Sequence, residues 1–259
     1  MEIRILGCYG NQLPGYKTTS FVINKAIALD AGSLTSSLEL DEQLMLDAVL
    51  LTHSHIDHIK DLGFLGDNII GRKRNPVSLI GGKKTLHAIA DHYFNNSLWP
   101  DFTQIPTKEN PVYVYREIEN KKEFDLFGLT VLPVQVPHPV FTFSYFIRDH
   151  KSTVLHVSDT GETEEVWALA DQEPHLKAIF LETSFPNEMK GLAQASKHLT
   201  PEMMGEELKK LKKRKNLVDV YIYHLKPLYI DKLKEELAKV EVEGFRIRLM
   251  EQDSVIRYV

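Results

Sequence analysis

The sequence predicts an α/β or α+β protein, and three observations carry that expectation. Short apolar runs alternate with amphipathic stretches along the chain, the pattern of strands interleaved with helices. One such run, Ala48-Val49-Leu50-Leu51, leads directly into Thr52-His53-Ser54-His55-Ile56-Asp57-His58. Further on, His138, Asp159 and His224 each follow a predicted strand, so metal-ligating residue types gather at strand C-terminal ends, where sheet proteins place their sites.

In chain order, Ile3 to Cys8 alternates as a first strand, and Tyr9 to Thr19 is a polar, Gly-containing loop. Phe21-Val22-Ile23 and Ala26 to Leu29 form a hairpin around Asn24-Lys25. Asp30 ends it, either as a turn residue or as a partner to a metal ligand. A short helix over Leu38 to Leu46 precedes the central strand. Ile59 to Asn68 is helical, Val77 to Ile80 a strand and Lys83 to Tyr93 a helix, whose His87 and His92 are structural or exposed. Phe94 to Phe102 is an aromatic-rich loop that either packs on itself or stacks on a base. Val112 to Ile118 and Leu129 to Val136 are strands. Phe143 to Arg148 and Thr153 to Val157 make a second hairpin with Asp149-His150-Lys151 at its tip. A helix over Thr163 to Asp171, a strand over Ala178 to Leu181 and a loop or short helix over Phe185 to Gln194 follow. Thr200 then caps a helix that opens with Pro201 and runs to about Lys213. Its basic end, Lys209 to Lys215, suits a helix C-terminus in solvent. Val218 to Tyr223, a helix over Ile230 to Val240 and a strand over Phe245 to Leu249 complete the chain.

The 259 residues read as one domain spanning 1–259, with no linker, repeat or low-complexity tract. Against 31 basic residues stand 36 acidic ones, a net charge of −5, which argues against a large RNA or DNA partner. Arg72-Lys73-Arg74 is a small basic cluster of the solvated kind. The single cysteine, Cys8, allows no disulfide within the chain, suits a reducing compartment and reads as a packing residue. Neither a signal-peptide pattern nor an apolar run of membrane-spanning length is visible, and a cytoplasmic protein is expected.

The histidine-rich loop is where the chemistry concentrates. In extended chain, residues two apart point the same way, so His53 and His55 can reach one point together. Asp57 and His58 are adjacent and can reach a second. Three imidazoles and a carboxylate within six residues suit zinc, manganese or iron, and exceed what one ordinary site takes from one loop. This His-x-His-x-Asp-His run resembles the signature of the metallo-β-lactamase-fold superfamily. The resemblance implies a four-layer αββα sandwich of two mixed sheets flanked by helices, with the metals at one edge. His55, at the second position of the motif, favours the hydrolase members. It further implies that His53, His55 and His138 hold one ion, Asp57, His58 and His224 a second, and that Asp159 bridges both. Two dications held this way suit phosphoester hydrolysis, with Asp57 also orienting the attacking water. His156 is expected beside the metal ligands rather than among them.

Glu182 ends a strand, and His198 lies just before the helix capped by Thr200. A carboxylate bonded to an imidazole makes it a proton donor, so His198 is a candidate general acid oriented by Glu182. Glu182-Thr183-Ser184-Phe185-Pro186-Asn187, Lys197-His198-Leu199-Thr200-Pro201 and Tyr223-His224-Leu225-Lys226-Pro227 resemble three segments of the class II 3′,5′-cyclic-nucleotide phosphodiesterases. Phe94-Asn95-Asn96 and Leu98-Trp99-Pro100-Asp101-Phe102 resemble a fourth. That resemblance implies a dinuclear phosphodiesterase, zinc-loaded in the first instance, that converts cyclic AMP or cyclic GMP to the 5′-nucleotide. A metal-bridging hydroxide would attack phosphorus and His198 would protonate the 3′ oxygen. Trp99, Phe102 and Phe141 are candidates to stack on the base and Lys226 to meet the phosphate. The expected partner is a small cyclic nucleotide, with no membrane; a homodimer is left open. The rival readings are a ribonuclease Z-like tRNA 3′-processing endonuclease, a non-catalytic nucleotide sensor on the same fold, and a hydrolase of another ester.

Overall fold

The computed structural model describes residues 1–212 and 217–258. Two seven-stranded sheets face each other. The first contains β1 (Glu2–Gly7), β2 (Ser20–Ile23), β3 (Ile27–Leu29), β4 (Ala48–Leu50), β5 (Val77–Gly82) and β6 (Tyr113–Ile118) in that spatial order. The second contains β7 (Phe124–Leu126), β8 (Leu129–Val136), β9 (Thr142–Arg148), β10 (Thr153–Val157), β11 (Leu176–Glu182), β12 (Val218–Tyr223) and β13 (Phe245–Leu249), again in order. A last strand, β14 (Val255–Arg257), crosses back to pair antiparallel with β1 at the edge of the first sheet.

Side-chain alternation builds the layers. Along β4, Ala48 and Leu50 face the other sheet, while Val49 and Leu51 face outward under helices. Along β11, Ala178 and Phe180 point inward, and Ile179 and Leu181 outward. Both faces of these strands are therefore buried, which is why they read as continuous apolar runs rather than alternating ones. The outer face of the first sheet is covered by α1 (Leu40–Leu44), α2 (Ile56–Ile59), α3 (Asp61–Ile69) and α4 (Lys83–His92), through residues such as Ile59, Leu62, Leu65 and Leu86. That of the second is covered by α5 (Glu165–Ala170), α6 (Lys190–Ser196), α7 (Pro201–Leu208) and α8 (Ile230–Leu237), through Trp167, Ala193, Met203 and Leu233. The four-layer αββα sandwich is the observed architecture.

Strand direction decides where the site lies. β10, β11, β12 and β13 pair in parallel, and β8 runs the same way because β9 pairs antiparallel with both β8 and β10. The C-terminal ends of β8, β10, β11 and β12 thus share one edge. In the first sheet β3, β4, β5 and β6 are parallel. The end of β4 is tied to the second sheet: the Phe143 amide donates to the Thr52 carbonyl at 3.0 Å, and the Tyr145 hydroxyl to the Leu51 carbonyl at 2.6 Å.

Several expectations shift. The strands β7 and β14 had no reading in the sequence; each is three residues long, too short to show a period. The helix expected from Ile59 begins earlier, at Ile56 within the histidine-rich loop, and breaks near Lys60 before α3. The Asn24-Lys25 turn is as expected, with both residues at positive φ. Thr200 caps α7, its hydroxyl accepting from the Met203 amide, and Pro201 is the first helical residue. Of the basic run, Lys209 pairs with Glu206, and Lys210 with Glu207 and Glu164, while residues 213–216 lie outside those described. Among the described residues no helix is long and apolar enough to cross a membrane.

Candidate metal centre

β4 delivers the histidine-rich loop and the backbone then turns into helix. Leu51 still donates to the Ile80 carbonyl at 2.8 Å, and the Thr52 amide is taken over by the Asp30 carboxylate at 2.8 Å. His53 is fully buried, His55 is the extended residue before α2, and Asp57 and His58 fall on the first turn of that helix. His138 comes from the loop after β8, Asp159 from the loop after β10 and His224 from the residue after β12. His224 is held at φ +64°, a left-handed conformation unusual for a side-chain-bearing residue, and its amide donates to the Cys8 carbonyl at 2.7 Å. A Cβ at Gly10 would lie 2.6 Å from the His224 ring, so the loop after β1 can close over this imidazole only as glycine.

All seven predicted ligands converge. His53, His55, His138 and Asp159 form one group whose ligand atoms lie within 4.8 Å of one another, and Asp57, His58 and His224 form another. His138 Nε2 and His55 Nδ1 are 3.2 Å apart, and His58 Nε2 and His224 Nε2 are 3.3 Å apart. Asp159 Oδ2 lies 3.7 Å from His53 Nε2, 3.4 Å from His58 Nε2 and 3.2 Å from His224 Nε2, so one carboxylate oxygen spans both groups. Asp57 Oδ2 is 3.3 Å from His224 Nε2.

The donor set fits cations. Ligand atoms at about 2.0–2.1 Å around a tetrahedral ion sit ~3.3 Å apart, which matches most of these separations. His53 Nε2 and Asp159 Oδ1 are buried and have no hydrogen-bond partner among the described residues. Orphaned polar atoms of this kind carry a desolvation cost that a bound ion would remove.

A second ring of hydrogen bonds sets which nitrogen each histidine turns inward. Thr52 Oγ1 donates to Asp30 Oδ2 at 2.8 Å and lies 2.9 Å from His53 Nδ1, so it accepts from that nitrogen and leaves Nε2 facing the cluster. His58 Nδ1 lies 2.7 Å from Asp30 Oδ2. His138 Nδ1 lies 3.1 Å from the Lys197 carbonyl. Such partners fix tautomer and ring orientation. Asp30, the residue with two sequence readings, is therefore an orienting group, buried and at φ +57°. Thr52 and the Lys197 carbonyl were not read from the sequence. Thr52 sits next to the motif, a usable signal; a backbone carbonyl leaves none.

Burial, with the charge of His58 beside it, holds His53 well below the ordinary imidazole value, and burial pushes His138 down to about 4. Burial opposes charge on His58 as well, but Asp159, Asp30 and Asp57 outweigh it and lift His58 well above that value. For Asp159, burial is overruled by His224 and His58, which keep the carboxylate far below the usual range. His156 is fully buried against Phe21 and Tyr223, and among the described residues neither of its nitrogens has a hydrogen-bond partner, so it neither joins the cluster nor orients a ligand there. Burial pushes the Cys8 thiol up to about 12, which suits a packing role.

Glu182 and His198 meet beside this cluster. His198 Nδ1 donates to Glu182 Oε1 at 2.9 Å, and the His198 ring stacks on His224 at 5.4 Å and stands edge-on to His138 at 5.2 Å. Among the described residues His198 Nε2 has no hydrogen-bond partner. Burial lowers the affinity of His198 for its proton, but the Glu182 charge and hydrogen bond more than offset this, and its pKa is raised.

The aromatic candidates divide. Phe102 is fully buried, packed against Phe94, Tyr113 and the backbone of Gly66, and so cannot stack on a base; it belongs to the core beneath α3. Trp99 is half-buried, edge-on to Phe64 and over Gly63. Phe141 is half-buried against Gly82 and Phe143. Lys226 donates to the Gly10 carbonyl at 2.6 Å, with its ammonium 5.9 Å from the Phe185 ring centre.

Residues 31–218 match a sequence model described as a β-lactamase superfamily domain. With this fold and this cluster, the chain belongs to the metallo-β-lactamase-fold superfamily. It is 29% identical over 184 residues to 3′,5′-cyclic-nucleotide phosphodiesterase 1 of Saccharomyces cerevisiae, covering 62% of this chain and 49% of that protein. It is 26% identical over 242 residues to a probable 3′,5′-cyclic-nucleotide phosphodiesterase of Yersinia pestis, covering 80% and 66%. The chain thus matches about half to two thirds of these relatives' own lengths. Among solved structures, unliganded yeast PDE1 superposes with a TM-score of 0.82 at 20% identity over 98% of each chain. The short form of human tRNase Z superposes with a TM-score of 0.70 at 15% identity over 99% of each. At these identities the likeness to the solved structures is one of fold.

Proposed function

We propose that the chain is a two-metal phosphodiesterase that hydrolyses 3′,5′-cyclic nucleotides to 5′-nucleotides. The observation that carries this reading is the placement of the Glu182–His198 pair against a cluster able to hold two ions. His53, His55 and His138 would hold one ion, Asp57, His58 and His224 the other, with Asp159 shared. Imidazole and carboxylate donors suit zinc first, and manganese or iron as well. When bound, two such cations lower the pKa of a water between them and draw off phosphoryl charge.

The chain's own groups supply the rest. Asp57 would accept a hydrogen bond from the attacking water. His198, its Nδ1 proton held by Glu182, is left with Nε2 to protonate the departing 3′ oxygen. Its raised pKa, set by the Glu182 charge and hydrogen bond, favours the protonated form an acid needs. Lys226 adds positive charge on the same side, close enough to bear on His198. Trp99 and Phe141, each only half-buried, are the remaining candidates to stack on the base. The relatives named as cyclic-nucleotide phosphodiesterases support a small substrate, and the net charge of −5 supports it over a tRNA precursor. The complete ligand set supports catalysis over mere sensing.

The test is hydrolysis of cyclic AMP and cyclic GMP by the zinc- or manganese-loaded protein, with a tRNA precursor in parallel. The 5′-monophosphate is the expected product. Cleavage of the RNA alone would overturn the substrate while leaving the metal chemistry standing.

A further inference from the structure

Ser184 lies two residues beyond Glu182, at the end of β11, and is fully buried. Its hydroxyl oxygen is 2.9 Å from His224 Nδ1, 3.0 Å from Glu182 Oε2, 3.2 Å from His198 Nδ1 and 3.3 Å from the His224 carbonyl. A hydroxyl has one proton to give and lone pairs to accept with. A carboxylate can only accept, and Glu182 Oε2 is the nearer of the two acceptors, so the Ser184 proton goes to it. Oγ is then an acceptor toward His224, and His224 Nδ1 must carry a hydrogen. That leaves Nε2 as the lone-pair nitrogen, on the side where it meets Asp57, His58 and Asp159. On the other carboxylate oxygen, Glu182 Oε1 accepts from His198 Nδ1 at 2.9 Å and from the Thr160 amide at 3.2 Å. The hydrogen bonds therefore run in one direction only: His224 to Ser184, Ser184 to Glu182, and His198 to Glu182.

We propose that Ser184 is a positioning residue that joins the second ion site to the proton donor. One hydroxyl sets the tautomer of the ligand His224 and the orientation of the carboxylate that holds His198. The inference rests on the ligand assignment above, in which His224 belongs to the second ion. Removing the hydroxyl would leave a buried imidazole N–H without its acceptor and a buried carboxylate oxygen without its donor. It would also free His224 to turn the wrong nitrogen inward. Losing an orienting partner of this kind typically costs ~10–100-fold in metal affinity.

The experiment measures zinc affinity at each site by competition with a chromophoric chelator, in wild type, Ser184→Ala, Ser184→Thr and His224→Ala. The expected result is a loss of ~10–100-fold at one site only in Ser184→Ala. That site is the one His224→Ala abolishes, and Ser184→Thr restores it. Unchanged affinities in Ser184→Ala, or an equal loss at both sites, would overturn the proposal, since a merely loosened fold moves both. If wild type holds no zinc, the metal reading falls with it; if wild type holds two ions and Ser184→Ala holds them as tightly, only the role of Ser184 falls. A second measurement needs no variant. Nitrogen NMR of the histidine-labelled, zinc-loaded protein should show His224 protonated at Nδ1 and coordinated at Nε2, and the opposite tautomer would refute the proposal.

Discussion

On one side of Asp159, His138 turns its outer nitrogen to a neutral oxygen, the Lys197 carbonyl, and His53 reaches the Asp30 carboxylate only through the Thr52 hydroxyl. On the other side, His58 is bonded to the Asp30 carboxylate, and His224 reaches the Glu182 carboxylate through Ser184. The second group also contains a carboxylate of its own, Asp57. The first group thus has one carboxylate, Asp159, among its ligand atoms, and the second has Asp57 besides the shared Asp159 and a direct contact from His58 to Asp30. The protonation of the histidines follows the same division, with His53 and His138 depressed and His58 raised. Each group is backed from both halves of the molecule, His53 and His58 by Thr52 and Asp30 beside the first sheet, His138 and His224 by Lys197 and Ser184 beside the second. The Glu182 carboxylate that Ser184 joins to His224 also accepts from His198, so in the proposed mechanism ligand and proton donor share one carboxylate.

Four substitutions test this contrast. The largest effect belongs to the shared ligand. Asp159→Asn should release both ions and lower turnover by more than ~10²-fold, the upper range for an orienting partner alone; metal analysis of the dialysed variant checks it. His198→Ala should keep both ions yet lose ~10²–10⁴ in turnover, as expected for a general acid. Metal loss in that variant, or unchanged kcat, would remove His198 from its role. Asp30→Asn should weaken the second site by ~10–100-fold with a smaller change at the first. Equal weakening at both, measured by chelator competition, would erase the distinction between the direct contact of His58 with Asp30 and the contact of His53 relayed through Thr52. The smallest effect is expected from Glu182→Gln. Glu182 raises the pKa of His198, and an acid catalyst is active while protonated, so turnover falls as pH rises through that pKa. Removing the charge should move the alkaline limb of the kcat profile, measured at saturating metal, to lower pH; an unmoved limb would detach Glu182 from His198.

The cluster was legible because four of its residues lie within six positions and the other three stand within two residues of a strand end, so the pattern survives in one dimension. What orients them was less so. Asp30, Thr52 and Ser184 act through hydrogen bonds to rings far off in the chain or on the other face of a turn, and Lys197 acts through its backbone. Composition left the aromatic loop open between packing and stacking, and Phe102 became a stacking candidate only with the resemblance; the Phe94–Tyr113 cluster beneath α3 buries it instead. The start of α2 inside the motif was masked by its histidines, which have modest helix propensity and carry the functional reading. The αββα layering itself came from resemblance, and the doubly buried strands explain why periodicity alone could not supply it.

The central claim is that one loop is divided between two ions bridged by Asp159. Native mass spectrometry of the zinc-loaded protein addresses it most directly, counting ions per chain in wild type, His138→Ala and His224→Ala. The account predicts two ions, then one, then one. A single ion in wild type, or two retained in either variant, would contradict it.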